Sequence, residues 1–412
     1  MPLTVLSGLP GSGKSSTLIQ RVNEQRTKGL PAYTFACSDS AALRARSLLE
    51  RGRLSCRQPG LVCKLDYFVT VTEASNRLRD CAPGDLAAFE EAQFFGPTIV
   101  EEWIAAAHRG VEVLACTPSA AQVEMLRQHR VSVTQLRISC RRCHRQDAVT
   151  FVLLPDDEVT ESLCQDCYRE QVVERRREIV QRLRDQEPYP GEKTLYQPVD
   201  LPETAGWQVI RADSSKRIQL MTAIAREQEL LDPTAPKTSY LDLGCNTGYF
   251  CQFLSRAGSY ATGVDAVKST IQVARLLNAY VWRGYNRFHA EDAYSYLAST
   301  RDRKFDITSA LSVFQWIMIQ AGVERGLECL DLLFQKTERI CFLEMGYTAE
   351  AHYKDRLKIQ IDREWTRTAM LERGGFAEVR VLDAGTHGIK RDLFVGLRQA
   401  GPRGAPAAKH RV

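Results

Sequence analysis

The sequence predicts an α/β fold in two domains. Three observations predict it: two glycine-rich strand-to-helix turns far apart in the chain, a strand–helix alternation around each, and a length of 412 residues. Single hydrophobic cores stop growing at roughly 250 to 300 residues, so a chain this long divides. The first turn is Gly8-Leu9-Pro10-Gly11-Ser12-Gly13-Lys14-Ser15 and the second is Leu241-Asp242-Leu243-Gly244-Cys245-Asn246-Thr247-Gly248. Function is therefore read as a pair of activities. With 44% hydrophobic residues, 25% charged and a formal charge of +5, the composition is neither that of a disordered chain nor strongly basic. It permits an anionic or nucleic-acid partner without indicating one. No run reaches the ~18 apolar residues of a membrane helix, and Met1 leads directly into a strand and glycine turn, so no membrane partner and a cytoplasmic location are expected. The thirteen cysteines are odd in number, and their regular spacing is Cys-x-x-Cys, which points to metal rather than disulfides.

Leu3–Leu6 reads as a short apolar strand, and Ser16–Glu24 as a helix with Leu18, Ile19 and Val22 on one side. Between them, Gly8, Gly11, Ser12 and Gly13 let successive backbone N–H groups turn inward at the positive end of that helix. Lys14 then meets terminal phosphates, the Ser15 hydroxyl takes Mg²⁺, and Ser16 continues the cradle, so ATP with Mg²⁺ is the expected ligand. A merely tight glycine turn does not explain Lys14. Downstream, Asp85–Phe89 reads as a strand leading into Glu90-Glu91-Ala92-Gln93-Phe94-Phe95. A carboxylate at such a strand end supports Mg²⁺, the role expected of Glu90, and a neighbouring carboxylate can also take the proton of an attacking hydroxyl. By itself a Glu-Glu pair is more often a solvated surface feature. Cys140, Cys143, Cys164 and Cys167 form two thiolate pairs spaced for a tetrahedral structural Zn²⁺, the alternative being two buried or redox-active pairs. Four protein ligands leave no open position, so the metal would clip a loop rather than do chemistry.

In this order the three pieces resemble the zinc-containing type of thymidine kinase over approximately residues 1–175. The resemblance rests on Gly8–Ser15, on Glu91-Ala92-Gln93-Phe94-Phe95, and on the four cysteines, with Val133-Thr134-Gln135-Leu136 and Tyr168 in keeping. It implies that Glu91 deprotonates a nucleoside 5′-hydroxyl, and it leaves room for a homo-oligomer through the kinase-like domain. The sequence also departs from the family. Glu90 stands where the family has aspartate, and Ala115-Cys116-Thr117-Pro118-Ser119 replaces its Gly-Leu-Asp and Asp-Phe elements. The stretch from Thr150 to Cys164 lacks the paired glycines and the tyrosine that grip thymine. Asp39 lies near the family's substrate-side aspartate. The ATP end thus looks intact while the thymine end does not.

Tyr168–Arg184 reads as a charged amphipathic helix with Arg175-Arg176-Arg177 on its polar side, more a solvated face than a phosphate- or RNA-contacting stripe. The Pro-, Gly- and Glu-rich stretch that follows suggests a linker. The expected division is residues 1–185 for the kinase-like P-loop domain with its zinc ribbon (140–167), 186–204 for the linker, 205–400 for the second domain and 401–412 for a disordered basic tail.

In the second domain, Ser239-Tyr240-Leu241 is a buried strand running into the glycine turn, Phe250, Phe253 and Leu254 mark the next helix, and Ala261–Asp265 is a second strand ending on an acid. A glycine turn followed by an acid at the next strand end suits a nucleoside: close backbone approach at one, ribose hydroxyls at the other. The three-glycine dinucleotide fingerprint is absent. A third strand ends near His289-Ala290-Glu291-Asp292-Ala293, a fourth spans Phe305–Val313, a fifth Ile340–Glu344, and Ala377–Leu382 with Leu393–Leu397 form a final antiparallel pair. This succession resembles the class I S-adenosylmethionine-dependent methyltransferases over about residues 205–398. The resemblance implies that Asp242, Gly244, Asn246 and Gly248 hold the methionine part of S-adenosylmethionine, Asp265 the ribose and Asp292 the adenine amine, with Ser312 lining the cofactor. The whole is thus expected to be a P-loop α/β kinase-like domain with a zinc ribbon joined to a Rossmann-like class I methyltransferase domain.

The fourth strand ends in Ser312-Val313-Phe314-Gln315-Trp316, neither an Asn/Asp-Pro-Pro-Tyr nor a Pro-Cys motif, which tilts toward a hydroxyl, carboxylate or simple amine acceptor. Glu344, Tyr347, His352 and Asp362 are candidate bases or binders beyond the fifth strand, and Trp316 and Trp365 are candidate stacking residues. Two readings follow for the chain. It is a bifunctional kinase-like and methyltransferase enzyme acting on a nucleoside, nucleotide or nucleic-acid component. Alternatively, it is a methyltransferase whose kinase-like domain has become an ATP-binding regulatory or substrate-binding module.

Overall fold

A computed structural model describes residues 2–8, 12–38, 53–55, 61–117, 119–145, 147–153, 160–187, 189, 191–232, 238–282, 286–300, 303–383 and 391–399. Gly11, Asp39 and the expected tail 401–412 lie outside the described residues. The chain is a mixed α/β protein of two compact units, one chiefly Met1–Glu178 and the other chiefly Ile179–Pro233, Thr238–Asn278 and Gly284–Val412.

The first unit contains β1 (Leu3–Ser7), α1 (Lys14–Thr27), β2 (Ala32–Cys37), β3 (Tyr67–Val69), α2 (Val71–Arg79), β4 (Leu86–Phe89), α3 (Ile99–His108), β5 (Glu112–Cys116), α4 (Ala120–Gln128) and β6 (Val133–Gln135). They build a six-stranded sheet in the order β3-β2-β4-β5-β1-β6, parallel at every pairing. Helices on both faces explain why the central strands read as unbroken apolar runs: all of β4 is buried. Phe89 on β4 stacks on Phe35 of β2 with ring centroids 4.6 Å apart, and the fully buried Trp103 of α3 is tilted against it at 5.4 Å. The short β-pair Thr150–Leu153 with Thr160–Leu163 follows, then the helix α5 (Gln165–Arg184). Arg175 on that helix is half-buried and paired with Glu178 at 2.6 Å, so the arginine run is not wholly the solvated face expected.

In the second unit the segment read as a linker has regular structure. Thr194–Leu195 pairs in parallel with Gln208–Val209, and Pro202–Thr204 forms a 3₁₀ turn. Leu195, Gln197, Val199, Leu201 and Thr204 are buried. Proline and glycine mark turns here, while the apolar residues between them are spaced to pack, and that spacing outweighs the linker-like composition.

After α6 (Ser214–Glu227) come β7 (Thr238–Leu243), α7 (Tyr249–Arg256), β8 (Ser259–Asp265), α8 (Lys268–Leu277), β9 (Arg287–Ala290), α9 (Ala293–Ser299), β10 (Phe305–Leu311), α10 (Phe314–Ala321), α11 (Val323–Lys336), β11 (Thr337–Glu344), α12 (Arg363–Thr368), β12 (Glu378–Asp383) and β13 (Asp392–Leu397). The seven-stranded sheet runs β9-β8-β7-β10-β11-β13-β12, parallel except for β13, which is antiparallel to both its neighbours. The order reverses between β7 and β10, the place where doubly wound sheets bind ligands beyond the carboxyl ends of their strands.

Candidate functional site

At the first turn the chain leaves β1 through Gly8, whose φ is +153°, and a Cβ there would lie 2.5 Å from the carbonyl oxygen of Leu136. Only glycine fits a backbone so close to backbone. Gly13, at φ +91°, precedes α1, and no side chain among the described residues caps the helix. Lys14 Nζ donates to Gly8 O at 2.7 Å, and burial pulls its ammonium down while the charges of Glu91, Cys116 and Glu90 hold it up. Ser15 Oγ donates to Glu90 Oε1 at 2.5 Å, which joins the start of α1 to the end of β4 and places together the two residues expected at Mg²⁺. Ser12 Oγ is buried with no hydrogen-bond partner among the described residues, and Ser16 is half-buried on the first turn of α1.

Glu91 sits in the left-handed region at φ 48°, unusual outside glycine, and accepts from Gln93 Nε2 at 2.5 Å. Gln122 holds its turn in place. From the start of α4 it is buried, donates from Nε2 to Ala92 O at 2.9 Å and Gly96 O at 2.7 Å, and accepts from Thr117 Oγ1 at 2.6 Å. No motif in the sequence announces this residue.

The sulfurs of Cys140, Cys143, Cys164 and Cys167 lie within 4.8 Å of one another, with Cys143 and Cys164 3.8 Å apart. Four sulfurs at about 2.3 Å from a tetrahedral Zn²⁺ stand roughly 3.8 Å from each other, so this donor set is compatible with zinc. Burial pushes the Cys140 thiol up, but backbone hydrogen bonds from Cys143, Cys164 and Arg142 outweigh it and bring it down to about 6.

At the second turn Gly244 has φ +68°, and a Cβ would meet Val313 Cγ2 at 2.5 Å. Gly248, at φ +85°, begins α7 without a side-chain cap, and Asn246 is left-handed at φ 51°. Asp265 accepts from the backbone N–H of Asn246 at 3.0 Å and of Val267 at 2.9 Å, tying the end of β8 to the turn. Burial raises its carboxyl against those two hydrogen bonds. Asp242 is buried beneath the turn, where it accepts from Ser309 Oγ at 2.5 Å, and burial pushes its carboxyl up to about 7. Asp292 is exposed and caps α9 by accepting from the Ser295 N–H at 2.9 Å. Residues Thr194–Gln197 and Val199 line a cavity of about 190 Å³ together with Asn246, Thr247 and Val267.

The chain leaves β10 one residue after Leu311, with Ser312 left-handed at φ 63°. Glu344, fully buried at the end of β11, is the centre of what holds it there. Ser312 Oγ donates to Glu344 Oε1, Arg211 Nη2 donates to the same oxygen at 2.8 Å, and Arg217 Nε donates to Oε2 at 2.7 Å. Arg391 Nη1 donates to Ser312 Oγ at 2.7 Å, and its Nη2 to Glu350 Oε2 at 2.6 Å. Burial pushes the Glu344 carboxyl up, but Arg211 and Arg217 outweigh it and hold it below the usual carboxylate range. That corrects the nomination of Glu344 as a base: its charge is fixed by two guanidiniums. Asp362 caps α12 through the Trp365 N–H at 2.8 Å, and Tyr347 donates to Asp392 at 2.6 Å, with its phenol held up by burial and that carboxylate. His352 is exposed and packs on Tyr353. Trp316 stands edge-on to Tyr353 with Arg356 over its ring. The arginines were missed because positions 211, 217 and 391 carry no common sequence signal.

Residues 241–330 match the family model for a methyltransferase domain. A 141-residue stretch, 34% of this chain, is 26% identical to the O-antigen chain terminator bifunctional methyltransferase/kinase WbdD of Escherichia coli and covers 20% of that protein. Another of 116 residues, 24% of this chain, is 28% identical to the mitochondrial ubiquinone biosynthesis O-methyltransferase of Arabidopsis thaliana, covering 32% of it. This chain therefore matches only a minor part of either relative. Among solved structures, WbdD aligns with a TM-score of 0.42 at 21% identity over 54% of this chain and 46% of that one. Magnesium protoporphyrin IX methyltransferase of Synechocystis with bound S-adenosylmethionine aligns with a TM-score of 0.37 at 17% identity, over 57% and 95%. Among the described residues no helix is long and apolar enough to cross a membrane.

Proposed function

We propose that the second unit is an S-adenosylmethionine-dependent methyltransferase and that the first binds ATP with Mg²⁺ as a thymidine kinase-like phosphotransferase, the pair acting on a nucleoside, nucleotide or nucleic-acid component. The observation that carries the methyltransferase reading is the match to that family across a glycine turn and acid at the switch point of the seven-stranded sheet. Bound S-adenosylmethionine supplies an electrophilic methyl group. The residues of this chain bind and orient it: Gly244 admits the close approach, Asp265 accepts from ribose hydroxyls, and Ser312, fixed by Glu344 and Arg391, lines the cofactor. Much of the rate in such a site comes from holding acceptor and donor in line.

In the first unit, Lys14 and the amides of α1 take the phosphates, Ser15 and Glu90 a Mg²⁺, and Glu91 receives the proton of the attacking hydroxyl. The four cysteines hold a structural zinc. The altered thymine-gripping elements favour a second reading of this unit, as an ATP-binding regulatory or substrate-binding module. Two measurements test these assignments. Calorimetric titration with S-adenosylhomocysteine is expected to show binding that Asp265→Ala weakens at least tenfold, and unchanged binding removes the role given to Asp265. ADP release with a panel of nucleosides is expected in the wild type and lost in Glu91→Gln, and release that ignores Glu91 favours the module.

A further inference from the structure

The cavity beside the second glycine turn is roofed by the segment read from sequence as a linker, and its lining has a particular chemistry. Gln186, Thr194, Gln197, Asn246, Thr247 and Thr270 supply amides and hydroxyls, and among the described residues no charged side chain lines it. A site of that kind suits a neutral polar group and not a phosphate or a carboxylate. Val267, two residues beyond the acid at the end of β8, stands 53% exposed on the same cavity and offers an apolar face to a flat ring. Gln197 is the unusual member. It is only 7% exposed, yet its amide oxygen has no hydrogen-bond partner among the described residues. Buried polar atoms are rarely left so unless something absent completes them.

We infer that Gln197 is a specificity-determining residue whose amide reads the adenine edge of the cofactor, an inference that rests on the methyltransferase reading above. An amide offers one acceptor and one donor side by side, the complement of the exocyclic N–H and neighbouring ring nitrogen of adenine. Asp265 accepts from the Val267 N–H at 2.9 Å, so the acid given to the ribose sits on the same turn as the apolar residue that lines the cavity. Asp292, the residue implied for the adenine amine by family resemblance, is not among the residues that line this cavity, and its Oδ1 caps α9.

The test uses the full chain and two probes, S-adenosylhomocysteine and its 6-deamino analogue, in which the ring lacks the amine. The wild type is expected to bind the analogue about tenfold more weakly, the usual cost of one lost hydrogen bond with a buried partner. Gln197→Leu is expected to lose about tenfold in affinity for S-adenosylhomocysteine and to bind both probes alike, and Gln197→Met repeats the measurement if the leucine variant does not fold. Gln197→Glu, which keeps an acceptor, retains the wild-type discrimination. A variant without the amide that still discriminates, or a wild type that never did, overturns the inference while leaving the methyltransferase reading standing. A wild type that binds neither probe overturns that reading itself.

Discussion

Asp242 and Glu344 are both carboxylates at strand ends in the second unit, both buried, and their surroundings drive them in opposite directions. Asp242 has hydroxyl donors and the Cys251 thiol at 3.8 Å, but burial outweighs them, the Asp265 charge adds to it, and its carboxyl is pushed up to about 7. In an unfolded chain it titrates near its ordinary value of about 3.9, so between roughly pH 4 and 7 the native state holds a proton that the unfolded state has released. Stability contributed by this group therefore falls as pH rises through that window. Urea unfolding at pH 5 and pH 8 is expected to show wild-type protein losing on the order of 2 to 3 kcal/mol that Asp242→Asn does not lose. The same pH dependence in both proteins refutes the placement. Glu344 has its charge matched by Arg211 and Arg217, and its stabilisation is present above the ordinary carboxylate range and disappears as pH falls through its depressed value. Glu344→Ala removes the buried carboxylate that Arg211 and Arg217 share, leaves them Asp213 as an acidic partner, and is expected to cost about 3 to 5 kcal/mol in denaturant unfolding, more than Glu344→Gln, which keeps an acceptor. A cost below about 1 kcal/mol, the range of an exposed ion pair, contradicts the burial of that cluster.

Turns, strands and caps differ in how far they were legible before the fold was known, and the reason lies in how local their causes are. Gly8, Gly13, Gly244 and Gly248 were readable because a positive φ or a blocked Cβ is a requirement of one residue on its own turn. The four cysteines were readable because their spacing encodes the cluster. β1, β4 and β7 were readable because they are largely buried and write their sequences as apolar runs, while β2 and the half-exposed β3 were not picked out. Non-local causes left no such trace. Gln122 pins the Glu91 turn from a helix beginning 29 positions later (120 minus 91), and the partners of Glu344 are drawn from residues 211, 217 and 391. The segment 186–204 was misread for a related reason, since its Pro and Gly dominate composition while its few apolar residues decide packing. Leu201, 4% exposed within it, makes the point measurable. Leu201→Ala is expected to destabilise the second unit by about 2 to 5 kcal/mol, as truncation of a core leucine does. A tether would tolerate the same change within about 0.5 kcal/mol.

Each unit has its own buried core and its own proposed ligand, and the whole chain is expected to report that division when it unfolds. Two-state behaviour belongs to single domains, so two transitions are anticipated by calorimetry, one for each core. A ligand that binds only the native form of one unit raises only that unit's transition. At about one hundred times its dissociation constant the gain is about 2.7 kcal/mol, equivalent to roughly 5 to 10 °C for a domain of this size. Mg²⁺-ATP is thus expected to move one transition and S-adenosylhomocysteine the other, with Lys14→Met abolishing only the first shift and Asp265→Ala only the second. Zinc enters the same scheme through the cysteine cluster, all of whose ligands belong to the first unit. Metal analysis is expected to find one zinc per chain, and a strong chelator to lower the ATP-responsive transition while leaving the other in place, because the free energy of a structural zinc site is folding free energy of the domain that holds it. Both transitions falling together on chelation would contradict a metal confined to one unit, and a single transition shifted by both nucleosides would contradict two separate guests.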